Sequence, residues 1–127
     1  MKRIYIAGPM TGYPGLNKLA FCRMEQELSK YDLIVLNPAV LPHGLDHDEY
    51  MHMCKAMIDV AAYVVFLHGW EHSRGAKEEY LYALNRGKEI IYEDDVYAYT
   101  GAAQHQETRQ EEYSLPRVRR YRAAAYA

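Results

Sequence analysis

The sequence predicts an α/β fold, a doubly wound parallel sheet with helices on both faces. Three observations predict it. Four short apolar runs, near 3–7, 33–36, 63–67 and 89–92, are continuous rather than alternating, as in strands buried on both faces. The segments between them carry apolar residues at helical spacing. The two patterns alternate along the chain, which is what βαβ units impose.

Each element has its own justification. Arg3-Ile4-Tyr5-Ile6-Ala7 is the first strand, ended by the punctuated loop Gly8-Pro9-Met10-Thr11-Gly12. Residues 16–30 follow as a helix, with Leu16, Leu19, Ala20, Met24 and Leu28 on its apolar face and Asn17 as its cap. Leu33–Leu36 is the second strand, closed by Asn37-Pro38 and a loop holding Pro42, His43 and Gly44. Asp46 or Asp48 caps the next helix, which runs through Met51, Cys54, Ile58 and Ala61. Tyr63–Leu67 is the third strand. Ser73 opens a helix with Ala76, Tyr80, Ala83 and Leu84 on one face and Gly87 as its stop. Glu89–Tyr92 is the fourth strand, and a fifth is expected at about Val96–Thr100. The result is a flavodoxin-like sheet of four to five strands in a domain at 1–100, followed by a polar and basic extension at 101–127. In that extension 104–114 reads as an exposed helix. Pro116-Arg117-Val118-Arg119-Arg120-Tyr121-Arg122 reads as either a solvated tail or an arm for a neighbouring subunit or a phosphate.

Bulk properties exclude several function classes. The 127 residues suit one domain with a true core. A net charge of −2 lacks the basic surplus of nucleic-acid binders. Cys22 and Cys54 stand far apart without CxxC spacing, which argues against a disulfide framework or zinc site and suits a reducing cytoplasm. No apolar run approaches the ~20 residues of a membrane span, and the chain enters its first strand with no room for a signal peptide. The 13 tyrosines suit either stacking on flat ligands or core and rim packing.

Doubly wound sheets bind ligands beyond the carboxyl ends of their strands, here at Gly8–Gly12, Asn37–Gly44 and His68–Gly75. Ser73-x-Gly75-x-x-x-Glu79 stands out among them. Ser73 at a helix start is a natural anion site, Gly75 lets a ligand approach the backbone, and Glu79 lies just under two turns further on. On spacing alone, an ordinary capped helix with surface acids Glu78 and Glu79 is the plainer reading. The first loop adds backbone N–H groups and the Tyr5 hydroxyl, and has neither a GxGxxG fingerprint nor a Walker A lysine.

Taken together, Ile4–Gly12, Asn37-Pro38-Ala39, His43-Gly44-Leu45, Glu49-Tyr50-Met51, Leu67–Ala76, Glu79, Ala83 and Gly87-Lys88 resemble the nucleoside 2-deoxyribosyltransferase superfamily, in particular its small phage-type branch, over about 3–92. The resemblance implies that Glu79 attacks C1′ of the sugar, that Tyr5 orients it, and that Gly8, Pro9 and Met10 cradle the sugar or its phosphate. It adds Asn37, Ser73 and Gly75 to the substrate site, with Ser73 favouring a 5′-phosphate where the nucleoside transferases carry an aspartate. Trp70 is either a lid that stacks on the base or an interface residue. Where relatives place an aspartate in the helix that precedes the third strand Cys54 stands in register, with Asp59 the nearest acid later in the segment, and Ala61-Ala62 stand where relatives often have an aspartate just before that strand. His43, His47, His68 and His72 are candidate acids for the leaving base. The acids and histidines at 43–49 lack the spacing of a metal-ligand pair. The expected protein is a cytoplasmic homo-oligomer that needs no metal or organic cofactor, takes a small nucleoside or nucleotide, and is an N-hydrolase or deoxyribosyltransferase. The alternative is a non-catalytic nucleotide-binding module.

Overall fold

A computed structural model describes residues 1–105. Its strands are β1 (Lys2–Ala7), β2 (Leu33–Leu36), β3 (Tyr63–Phe66) and β4 (Glu89–Tyr92), and its helices are α1 (Lys18–Leu28), α2 (His47–Val60), α3 (Arg74–Asn85) and α4 (Glu93–His105). The strands form one parallel sheet in the order β2-β1-β3-β4. This is the expected flavodoxin-like α/β sheet, with four strands among the described residues. The chain winds outward in both directions from β1 and β3, which puts the topological switch point between these strands.

Alternation along β1 assigns its side chains to two cores. Ile4 and Ile6 join Phe21, Met24 and Leu28 of α1, Val65, Ile91 and Val96. Tyr5 and Ala7 face the other way, among Cys54 and Ile58 of α2, Val64, and Ala76, Tyr80 and Ala83 of α3. That parity brings the Tyr5 hydroxyl to the helix that carries Glu79.

Three local expectations are corrected. The buried face of α1 is Phe21, Met24 and Leu28 rather than a face that includes Leu16 and Leu19, which are 38% and 65% exposed. Leu16 has φ 55° and lies before the helix, so it is out of helical phase. Asn17 makes no capping bond; its Nδ2 donates to the Pro9 carbonyl at 2.9 Å and ties the first loop to α1. Val96–Thr100 belongs to α4, not to a fifth strand. Glu93, Asp94 and Asp95 fill the first turn of that helix, where acids complement the helix dipole. The expected helix at 104–114 lies outside the described residues from 106 on, as does the basic segment 116–122.

Candidate active site

The carboxyl ends of β1 and β3, the first turns of α2 and the start of α3 enclose a crevice of about 400 Å³. Its wall includes Tyr5, Gly8, Met10, Thr11, His47, Tyr50, Met51, His72, Ser73, Arg74, Gly75 and Glu79. Local chemistry explains how each helix is aimed. Asp46 and Glu49 form a reciprocal capping box, with bonds of 2.8 and 3.0 Å, that starts α2 at His47. Ser73 Oγ accepts from Ala76 N at 3.2 Å and starts α3. Helical spacing from these starts turns His47, Tyr50, Met51 and Cys54 of α2 towards Glu79 of α3.

Glu79 is 4% exposed, whereas its neighbour Glu78 is half-buried and bridged to Lys55 at 2.7 Å. The Tyr5 hydroxyl donates to Glu79 Oε2. The Cys54 thiol lies within hydrogen-bonding reach of Glu79, Tyr5 and Tyr50. Burial pushes the Glu79 carboxyl up to about 8, against the bonds from Tyr5 and Cys54 that favour its charged form. Burial likewise raises the Tyr5 phenol well above its ordinary value and the Cys54 thiol to about 12, so both remain neutral donors. Tyr50 donates to Met10 Sδ at 2.9 Å and joins α2 to the first loop.

The glycines play different parts. A Cβ on Gly8 would stand 2.9 Å from Leu67 Cβ, so close packing of β1 on the chain leaving β3 demands glycine there. A Cβ on Gly75 would meet Met51 Sδ at 3.5 Å and the His47 ring at 3.9 Å, both ordinary contacts, so its hydrogen keeps the crevice open rather than relieving a clash.

Of the sequence-predicted residues, Glu79, Tyr5, Gly8, Met10, Ser73 and Gly75 are brought together. Four others lie elsewhere. Asp59 is in the last turn of α2, roughly 18 Å along the helix from His47 at 1.5 Å per residue. There its Oδ1 accepts from the Tyr82 hydroxyl at 2.8 Å and faces Arg86 at 3.8 Å. Trp70 is 4% exposed and stacks on Tyr80 with ring centroids 4.5 Å apart, so it is core rather than lid. Asn37 is buried; it accepts from Ala39 N at 2.9 Å and donates to Glu25 at 2.8 Å, which fixes the turn after β2. Pro9 offers its carbonyl to Asn17, outside the crevice wall.

The histidines also separate. His47 and His72 line the crevice. His43 Nε2 pairs with Lys18 Nζ at 2.9 Å in an adjoining chamber, and His68 lies by Glu93 and Asp94 at 3.3 and 2.6 Å. The acids at 46 and 49 are engaged with each other, and among the described residues no group of three or more His, Cys, Asp and Glu side chains is placed to hold a metal. No described helix is long and apolar enough to cross a membrane. Sequence reasoning missed Tyr50, Met51 and Arg74. The i, i+3, i+4, i+7 series 47, 50, 51, 54 after the Asp46 cap was the available signal for α2.

Comparisons with known proteins bear on the fold. Residues 2–92 match a family model described as Domain of unknown function (DUF4406). No curated protein matches. Among solved structures, the 2-desoxiribosyltransferase from Leishmania mexicana superposes with a TM-score of 0.60 at 21% sequence identity, over 72% of this chain and 63% of that one. The present chain therefore matches less than two thirds of that enzyme's length, and the likeness establishes a shared fold.

Proposed function

We propose that this chain, which belongs to the DUF4406 family, breaks the N-glycosidic bond of a nucleoside or a (deoxy)nucleoside 5′-monophosphate, passing the sugar to water or to a second base. The observation that carries this reading is the buried Glu79 carboxyl, held by the Tyr5 hydroxyl in a crevice at the strands' carboxyl ends. A carboxylate so placed suits attack on C1′ through an oxocarbenium-like transition state, as in retaining glycosidases. The C1′–N bond breaks, its electron pair leaves with the base, and a Glu79 oxygen bonds to C1′. Water or an acceptor base then takes the sugar and frees Glu79.

The remaining wall residues have supporting parts. Gly8 and Met10 border the sugar. Ser73, the N–H groups at the start of α3 and the Arg74 guanidinium in the same wall favour a 5′-phosphate. No step draws on a metal or organic cofactor. A small phage-type N-hydrolase, cytoplasmic and homo-oligomeric, is the setting that the sequence resemblance suggests. Two observations favour a non-catalytic nucleotide-binding module as the second reading: burial keeps Glu79 protonated near neutrality, and a neutral thiol, Cys54, stands beside it.

Incubation with each deoxynucleoside and deoxynucleotide, with and without an acceptor base, followed by chromatography of free and transferred base, decides between them. Base release that vanishes in Glu79→Gln supports the enzyme. Thermal stabilisation by a nucleotide without release supports the binding module.

A further inference from the structure

The crevice does not end at Glu79. A second chamber of about 280 Å³ adjoins it, with Leu41, Pro42, Lys18 and His43 in its wall. Met10, Thr11, Pro38, His47 and Tyr50 line both chambers and form their common rim. A sugar at Glu79 with its base in the second chamber lays the glycosidic bond across that rim. The second chamber suits a base: Leu16, Leu41 and Leu45 offer apolar surface to its ring faces, and Lys18, His43 and Asp46 offer polar groups to a heteroaromatic edge.

We infer that His47 is the acid that protonates the leaving base; this rests on the glycosidic reading above. Three side chains on the shared rim carry a transferable proton. The Thr11 hydroxyl is far too weak an acid. The Tyr50 phenol is already given to Met10 Sδ at 2.9 Å. The His47 imidazole remains, the side-chain type suited to proton transfer near neutral pH. Its Nε2 lies 3.6 Å from Glu78 Oε1, and the other Glu78 oxygen is held by Lys55 at 2.7 Å. The carboxylate lies beside Nε2 and orients the ring, leaving Nδ1 for the substrate. The other crevice-side histidines are each confined to one chamber: His72 borders Glu79 beside Ser73, and His43 is engaged by Lys18.

The step balances. The C1′–N electron pair moves onto the base as the proton passes from His47 Nδ1 to a basic ring nitrogen, and a Glu79 oxygen closes on C1′. In the second half, neutral His47 takes the proton of the incoming water or acceptor base and is restored.

A base that leaves without a proton separates this role from a structural one. The full chain and His47→Gln are compared on 2′-deoxyguanosine 5′-monophosphate and its N7-methyl derivative, whose base is already cationic. For a pyrimidine-selective enzyme the pair is the deoxyuridine and 5-fluorodeoxyuridine monophosphates. His47→Gln is expected to lose roughly 10²- to 10⁴-fold on the unactivated substrate and to stay close to wild type on the activated one. Glu78→Gln, which keeps the imidazole, should show a smaller loss with the same dependence on leaving group, and it carries the test if His47→Gln melts early. Equal losses on both substrates, or no loss on either, overturn the role of His47 and leave the glycosidic reading standing. Failure of the wild-type chain to release base from any probe, the activated ones included, overturns both.

Discussion

Two tyrosine–carboxylate hydrogen bonds tie α3 to its neighbours, one inside the crevice and one at the surface. Inside the crevice Tyr5 donates to Glu79; at the surface Tyr82 donates to Asp59 at 2.8 Å. The pairing chemistry is the same, but the surroundings are not. Tyr5 and Glu79 are buried among side chains of β1, α2 and α3, and burial pushes the carboxyl up to about 8. Tyr82 and Asp59 lie at the surface with Arg86 alongside, and the Asp59 bond is the main cause of the raised Tyr82 phenol. The difference teaches that desolvation, rather than the hydrogen bond, sets the two carboxyls apart. Sequence offered both carboxylates, Glu79 and Asp59, as candidates, but only Tyr5 of the two tyrosines.

The largest break in this comparison is expected in turnover. Glu79→Gln should lower base release by ~10³-fold or more, as loss of a nucleophile does. Asp59→Asn should leave kcat/KM within about twofold, since its environment offers ordinary surface screening. Both are read by chromatography of released base.

Stability should separate the pairs next. Below the ordinary carboxyl value of 4.5, Glu79 is protonated in folded and unfolded chains alike, and its contribution is fully present. As pH rises towards about 8 the unfolded chain gives up the proton that the folded chain retains, so stability falls; above that value the loss is complete. Glu79→Gln removes this dependence. Urea unfolding at pH 5 and pH 9 should show the variant gaining roughly 2–5 kcal/mol on wild type between the two. Asp59→Asn should show no such gain.

The donors give a third contrast. Tyr5→Phe removes a bond to a buried charge, which is commonly about 1.5–3 kcal/mol, so turnover near neutrality should fall roughly 10- to 100-fold. With an N7-methylated substrate, where Glu79 ionisation limits the rate, the wild-type profile should rise with pH through about 8. In Tyr5→Phe that limb should move higher, because the charged carboxyl has lost a partner. Tyr82→Phe should move neither the limb nor the melting midpoint.

The smallest effect concerns charge at the two ends of α3. Ser73→Asp keeps a capping oxygen but places an anion in the crevice, and it should cut the preference for monophosphate over nucleoside by about tenfold. Asn85→Asp, at the far end of the helix, should leave that preference unchanged. Paired kcat/KM values for nucleotide and nucleoside check both.

Legibility followed the range of the interactions. Asp46 as a cap, Gly87 as a stop and the four strands were readable because each depends on a few adjacent residues. Ser73, Gly75 and Glu79 were not readable that way: on spacing alone they form an ordinary capped helix, and only the resemblance spread over residues 3–92 singled them out. Trp70 was not readable, because its place against Phe66 and Tyr80 depends on how α3 packs on β3. Asp59 was misleading because nearness in sequence to Cys54 hides the length of α2 between it and the crevice. Val96 looked like part of a strand, and the acids at 93–95 that begin a helix were the signal against it.

The amino-acid sequence by itself determined the parallel sheet and its winding, since continuous apolar runs demand cover on both faces and crossovers between parallel strands. It also determined the local motif that carries Glu79. Only the tertiary structure decided that Glu79 is buried while Glu78 is not, that Tyr5 and Cys54 reach it, and that His47 stands between two chambers. The physical reason is that desolvation is summed over atoms from β1, α2 and α3. Those atoms are distant along the chain, and no spacing within a single segment records them.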